Sequence, residues 1–344
     1  MKKFLLIAFA SLAASAAHAI GEVTTPGAGP GGGTRYATDA YPGFDSEDTL
    51  LNPEKKEPRW FSWFTGPNRD DPKSQMTYCA ELIMDGNYSK AVKQLDALVR
   101  NWPASPEAPK AQRMLAETLL SRTLDYEEAF AEYRYILDFY SLQSDYDKVA
   151  DKLYKIACLM RQEGKTFVFF HFKNTVDVRR AFEACVLRAP GAKWAPEAML
   201  MIGELREEEG KYGEAVKVYE NLRNLHPEEK EAKTAFSREA DARMVLLRDH
   251  GYNRDRCRDT LDFLKMAINA CALEDVEKIK GDIAEAQDVL ETEAYRAAQF
   301  YDSKTRTARS AINAYERFLA DYPESVHAEA VKARLEVLKK EGSK

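Results

Sequence analysis

Leu95-Asp96-Ala97-Leu98-Val99-Arg100-Asn101-Trp102-Pro103-Ala104-Ser105-Pro106-Glu107-Ala108-Pro109-Lys110-Ala111 holds the architecture of the whole chain in miniature. A large apolar residue stands eight positions before Pro103, an alanine five after it, and a second alanine eight after it. The same frame returns at Pro190 (Phe182, Ala195, Ala198), Pro227 (Tyr219, Ala232, Ala235) and Pro323 (Tyr315, Ala328, Val331). Proline lacks an N–H and ends a helix. A unit that recurs every few tens of residues marks one supersecondary motif repeated along the chain. The frame predicts an all-α superhelical solenoid of about five helical pairs.

A second signature sits half a unit away. Gly86-Asn87-Tyr88-Ser89-Lys90-Ala91 places a glycine in a turn, a tyrosine at the start of a helix and an alanine three residues on. Tyr126-Glu127-Glu128-Ala129 and Gly210-Lys211-Tyr212-Gly213-Glu214-Ala215 repeat it. The tyrosine is expected to wedge between the helices of a pair, and the alanine to let their backbones approach. Apolar spacing predicts helices over 74–86, 88–101, 107–121, 126–139, 146–163, 177–189, 254–272 and 275–301, with a final repeat from 306. The aromatic run from Thr166 to Phe172 reads as a loop. These features resemble the tetratricopeptide repeat, whose order is glycine, tyrosine, alanine, a large apolar residue, then proline. There are departures. Ser141 takes the proline's place in the second repeat, Ala308 the tyrosine's place in the last, and Ala91 to Ala129 is 38 residues against the usual 34.

The first nineteen residues read as a secretory signal peptide (1–19). Lys2 and Lys3 precede an apolar run, Phe4 to Ala14, that is short for a bilayer span, and Ala17-His18-Ala19 fits a cleavage site. Ile20 is then the mature start, in a periplasm-like compartment. Residues 20–53 are a Gly/Pro-rich linker expected to be disordered, since glycine runs cannot recover their ordering entropy by burial. Residues 54–73 hold Trp60, Phe61, Trp63 and Phe64 among Lys55, Lys56, Arg59 and Arg69. This cluster is either a cap on the first repeat or a contact for a partner or membrane surface. The helical solenoid is assigned to 74–340.

Composition narrows the function. The chain has 344 residues, 45% hydrophobic and 31% charged, enough for a folded core. Its net charge of −6 becomes −8 when Lys2 and Lys3 leave with the leader, which argues against nucleic-acid binding. The five cysteines form no CxxC and read as small buried residues, with a Cys257–Cys271 bridge left open. No HExxH occurs, the histidines are scattered, and Gly31 to Gly33 lack the Gly-Lys-Ser/Thr of a phosphate loop. No catalytic residue, cofactor or metal ligand is assigned. Helical solenoids of this kind bind protein partners.

Four stretches resemble a narrower group, the BamD (YfiO) outer-membrane assembly lipoproteins and their exported relatives. They are Trp102 to Ala108, the aromatic insertion Phe167 to Phe172 leading to Ala181-Phe182, Pro190 to Ala195, and the tail Ala294 to Tyr301 with Asp321 to Ser325. The resemblance implies a scaffold of about five repeats that contacts the barrel-shaped insertase BamA and helps outer-membrane proteins assemble. That family is lipid-anchored through a mature N-terminal cysteine, where this chain has Ile20, and the chain is longer between Arg243 and Asp288. The other reading is a general periplasmic interaction module in cell-envelope complexes.

Overall fold

The proline frame builds the same turn geometry at Pro103, Pro190 and Pro323, whereas at Pro227 the second turn is present, Ala232 N donating to Glu229 O (3.1 Å). The computed structural model describes residues 44, 66–166, 175–249, 254–304 and 308–341. At Pro103, Ser105 N donates to Trp102 O (3.0 Å) and Ala108 N to Ser105 O (3.1 Å). At Pro190 the pair is Ala192 N to Ala189 O (3.0 Å) and Ala195 N to Ala192 O (2.9 Å); at Pro323 it is Ser325 N to Tyr322 O (3.3 Å) and Ala328 N to Ser325 O (3.0 Å). Each is two reverse turns in series, with proline at the second position of the first, where its fixed φ suits the turn. Ser141 keeps the first of these turns without proline, through Gln143 N to Tyr140 O (3.1 Å). The residues of the frame are core: Leu95, Phe182, Tyr219 and Tyr315 are buried, as are Ala108, Ala195, Ala232 and Ala328.

The chain divides into two units, at His226/Pro227. The first contains α1 (Pro72–Met84), α2 (Tyr88–Asn101), α3 (Ala108–Thr118), α4 (Tyr126–Phe139), α5 (Tyr146–Thr166), α6 (Thr175–Arg188), α7 (Ala195–Glu208) and α8 (Tyr212–Leu225). Each packs on the next, giving four hairpins. The second unit contains α9 (Lys230–Asp249), α10 (Arg254–Ala267), α11 (Val276–Lys304), α12 (Ala308–Asp321) and α13 (Ala328–Glu341). There α11 packs on α9, α10 and α12, and α12 on α13. One core gathers Met244, Leu261, Leu264 and Ile279, and another gathers Ala298, Tyr315, Phe318 and Val331. No strand occurs among the described residues. The fold is the expected all-α helical repeat. The aromatic run from 167 to 172 lies outside the described residues, apart from Thr166, which ends α5. The cysteines are free, Cys257 and Cys271 among them.

The hairpin turns explain the repeat length. Gly86 (φ +75°) and Gly210 (φ +73°) take the left-handed conformation. Asn87 N donates to Leu82 O and Lys211 N to Arg206 O, each at 2.8 Å, the closure that a left-handed residue after a helix permits. In the second hairpin Leu124 fills that place at φ +56°, followed by Asp125 and Tyr126 as Gly86 is by Asn87 and Tyr88. One residue more is absorbed by a π turn over Leu119–Thr123, closed by Asp125 N to Leu119 O (3.1 Å). Pro103 to Ser141 is accordingly 38 residues, whereas Pro190 to Pro227 is 37.

The tyrosines that open the second helices are only half-buried, contrary to the wedge role expected of them. They sit at the first position of α2, α4 and α8, at the edge of each hairpin, where Arg122 stacks over Tyr88 at 5.4 Å. The alanines three residues on, Ala91, Ala129 and Ala215, are fully buried. A close approach within a hairpin is made elsewhere, by Gly203 of α7 against Tyr219 of α8. A Cβ at Gly203 would lie 2.2 Å from the Tyr219 ring. The Tyr219 hydroxyl donates to Glu207 Oε1 (2.8 Å), as Tyr315 does to Asp302 Oδ2 (3.1 Å).

Buried ion pairs fix neighbouring elements to one another. Arg188 forks onto Asp138 at 2.9 and 2.7 Å, tying the end of α6 to the end of α4. Arg179 of α6 donates to Glu183 (2.6 Å) and to Glu209 in the α7–α8 turn (2.7 Å); Arg206 and Lys211 also approach Glu209, at 3.6 and 3.1 Å. Burial alone would raise the Glu209 carboxyl, but the hydrogen bonds from Arg179 and Lys211 outweigh it and hold it below its ordinary 4.5.

Three outcomes are expected. Leu124→Gly relieves a left-handed L-residue whose side chain is exposed, and stabilises the protein by about 1 kcal/mol in urea unfolding; a loss of stability would contradict the turn. Gly203→Ala gains about 1 kcal/mol of helix propensity but meets the Tyr219 ring. A net loss of about 1–3 kcal/mol follows, and the same substitution costs less in a Tyr219→Leu background, where the clash is gone; an equal cost in both backgrounds would contradict the contact. Glu209, with its lowered pKa, contributes stability that is complete above the unfolded value near 4.5 and fades as pH falls through the lower folded value. The stability gap between wild type and Glu209→Gln is therefore constant near neutrality and narrows below pH 4.5; a gap that widens on acidification would contradict this.

Candidate partner-binding face

The first hairpin holds the segment that enters it. Asp71 caps α1, accepting from Ser74 N (2.9 Å), and Pro72 follows in the first turn, where its missing N–H costs nothing. Gln75 and Gln94 are buried side by side, with Gln75 Nε2 donating to Gln94 Oε1 (2.8 Å). Together they hold the incoming backbone. Asn68 N donates to both side-chain oxygens (3.0 and 3.1 Å), and Gln94 Nε2 to Gly66 O (3.3 Å). Arg69 lies over the Tyr78 ring at 4.6 Å. Trp60, Phe61, Trp63 and Phe64, the aromatic candidates of the sequence, lie outside the described residues.

A more extensive surface is made by α3, α5 and α7, the first helices of three successive hairpins. Polar side chains join them edge to edge. Lys152 of α5 pairs with Glu117 of α3 (2.8 Å) and donates to the Tyr133 hydroxyl (3.2 Å). Arg161, near the other end of α5, pairs with Glu204 (2.9 Å) and Glu208 (3.3 Å) of α7. The half-exposed Lys152–Glu117 pair contributes under about 1 kcal/mol, while Arg161 and Glu204 are largely buried. These pairs set the spacing of the helices.

Between α5 and the α6–α7 turn the surface opens into a cleft of 850 Å³. Its floor is aromatic. The Trp194 indole stacks on Tyr154 with centroids 4.7 Å apart and planes within 3°, and Tyr154 meets Phe182 edge-on at 6.0 Å. The indole N–H donates to Asp151 Oδ1 (2.7 Å), which orients the ring. Asp147, Asp151 and Lys155 line one edge at successive turns of α5, facing Lys193 and Glu197. Both signs of charge around a half-buried Trp194, backed by the buried Tyr154 and Phe182, suit a polypeptide segment, whose backbone and side chains offer donors, acceptors and apolar surface together.

Burial holds two titratable groups at the site in their neutral forms. Burial raises the Cys158 thiol above its ordinary 9.0, which disfavours the reactive thiolate, and pushes the Tyr154 phenol up strongly. On α1, outside the cleft, burial pushes Cys79 up to about 12. Among the described residues no group of three His, Cys, Asp or Glu is placed to hold a metal ion. No described helix is long and apolar enough to cross a membrane.

The sequence reading did not single out this cleft. Its signal was present: Trp194 stands just before the frame alanine Ala195, where the other occurrences have Glu107, Glu231 and His327. His327 makes the corresponding stack in the second unit, on Tyr295 at 4.1 Å.

Two tetratricopeptide-repeat family models match the chain, at residues 84–144 and 197–229. These stretches contain the Gly86/Tyr88/Ala91 and Gly210/Tyr212/Ala215 signatures. Tetratricopeptide repeat protein 29 of Mus musculus is 30% identical over 149 residues, 43% of this chain and 30% of that protein. Its counterpart from Macaca fascicularis is 28% identical over the same length. The matched stretch thus spans under a third of these relatives. Among solved structures, a tetratricopeptide repeat protein from Parabacteroides merdae is similar over 78% of this chain and 98% of that one, at 13% identity and TM-score 0.27. The C-terminal part of a repeat-containing protein from Cytophaga hutchinsonii is similar over 77% and 88%, at 15% identity and TM-score 0.31. The chain carries tetratricopeptide repeats.

Proposed function

We propose that this protein is a non-catalytic scaffold that holds a segment of a partner protein along the face of α3, α5 and α7. The observation that carries the reading is the open cleft beside α5, floored by the Tyr154–Trp194 stack and rimmed by charges of both signs. Tetratricopeptide repeats bind protein partners, and here the first helices of successive repeats leave the surface on which a guest can lie.

The finer reading is that the protein is exported by its leader and serves outer-membrane protein assembly. What supports it is the leader pattern at 1–19 and the order of the four stretches from Trp102 to Ser325. The aromatic cluster Trp60 to Phe64 is then a peripheral membrane or partner contact. Ile20, standing where a lipid-bearing cysteine would be, favours the second reading, a general periplasmic interaction module.

Affinity isolation from gently solubilised envelopes tests both levels. The wild-type chain is expected to retain barrel-assembly components, and Trp194→Ala to lose most of them while remaining folded by circular dichroism. Retention of only peptidoglycan-associated proteins would select the general module. If the Trp194→Ala variant keeps every partner of the wild type, the cleft is not the binding face.

A further inference from the structure

The second unit holds a separate groove, along the seam between α11 and α12. On α11 its floor is Ala294, Ala297 and Ala298, and on α12 it is Ala314 with Phe318 beneath. The groove has a volume of 490 Å³. Tyr301 stands at one end, 46% exposed, next to Phe300, which is 58% exposed. Four alanines in place of larger residues leave room above the seam for apolar side chains from outside.

The other end is cationic. Arg254 and Arg317 converge on one carboxylate, Asp321, and each reaches the same Oδ2, at 3.5 and 3.9 Å. These are long for charge-assisted contacts, which close to about 2.7–2.9 Å. Other arginines of this unit behave differently. Arg248 forks onto Glu285 at 2.8 and 2.6 Å, and Arg334 onto Asp302 at 2.7 and 2.9 Å. Two guanidinium groups, each with five N–H donors, thus share one carboxylate oxygen and leave a net positive end on the groove.

We propose that this groove binds a short acidic segment of a partner protein. A carboxylate of the guest forks onto Arg254 and Arg317, which balances two cations with two anions. An apolar side chain of the guest lies over the alanines beside Tyr301. From Ser310 to Asp321 the groove follows α12 for about 16 Å, which accommodates about five residues of extended chain. An inorganic anion would use the arginines and leave the apolar floor unused; the combination selects a peptide. This site lies wholly in the second unit, so its failure would leave the reading of the α3/α5/α7 face untouched.

The test uses the full chain and two fluorescein-labelled peptides, acetyl-Leu-Asp-Phe-Glu-Leu-amide and its Asn/Gln analogue, in anisotropy titrations. The acidic peptide is expected to bind at least tenfold more tightly than the analogue. Arg254→Gln/Arg317→Gln, with unchanged thermal unfolding, should weaken it at least tenfold. Asp321→Asn should tighten it by removing the internal competitor, and Ala297→Trp should block it with both arginines intact. The proposal is overturned if the two peptides bind alike or neither binds. Undiminished binding by the folded double-arginine variant, or weaker binding by Asp321→Asn, also overturns it. So does sedimentation with phosphatidylglycerol vesicles that depends on the same arginines while the peptide fails to compete.

Discussion

The structure depends on close packing at one recurring place, where a large apolar residue in the middle of one helix of the stack is followed, across a proline turn, by an alanine at or near the start of the next. Leu95 and Ala108, and Phe182 and Ala195, are fully buried or nearly so on either side of their proline turns. A side chain no larger than a methyl group lets the next helix settle close, so apolar surface that a single hairpin would leave exposed is covered by its neighbour. The turn enforces the offset. Two hydrogen-bonded reverse turns deliver the chain from one helix to the next with the same five-residue advance at Pro103, Pro190 and Pro323. Ser141 reproduces the first of these turns without the ring, so hydrogen bonding and helix packing determine the geometry and proline reinforces it.

Polar groups then set register where apolar packing would tolerate sliding. Arg188–Asp138 joins the second helices of adjacent hairpins, and Arg179 bridges α6 to the turn that follows α7. Replacing such pairs by well-packed apolar residues is often neutral, whereas deleting one partner strands a buried charge at a cost of about 3–5 kcal/mol. Their value lies in discriminating the correct alignment from shifted ones. The Gln75–Gln94 pair does the same at the entrance, where it holds the backbone of Gly66 and Asn68 against α1 and α2.

Much of this was legible in the amino-acid order. The frame residues, the glycine turns and the limits of α2 and α4 follow from spacing, because a helix terminus needs a specific residue and leaves a local trace. The π turn at Leu119–Thr123 left no such trace. One inserted residue shifts the count to 38, but its position depends on how α3 packs. The role given to Tyr88, Tyr126 and Tyr212 was too deep, since the first residue of a helix lies at the hairpin's edge; Tyr219 against Gly203 makes the close approach instead. The two grooves were hidden for a different reason. Each joins residues distant in sequence, Asp151 with Trp194 and Arg254 with Arg317, and only the stacking of helices brings them together.

In the first unit the repeated frame leaves its non-repeating residues on and beside the first helices of the hairpins. Trp194 replaces a charged or histidine residue of the frame, and the result is a floor on which a guest can lie, held by Asp151 and Tyr154. The most direct measurement is photo-crosslinking in living cells, with a photoreactive residue placed at Lys155 or Glu197 in the cleft and, for comparison, at Glu220, exposed on α8. Adducts to a partner protein from the two cleft positions and none from Glu220 are the predicted result. Equal adducts from all three, or adducts from Glu220 alone, would contradict a guest-binding face on α3, α5 and α7.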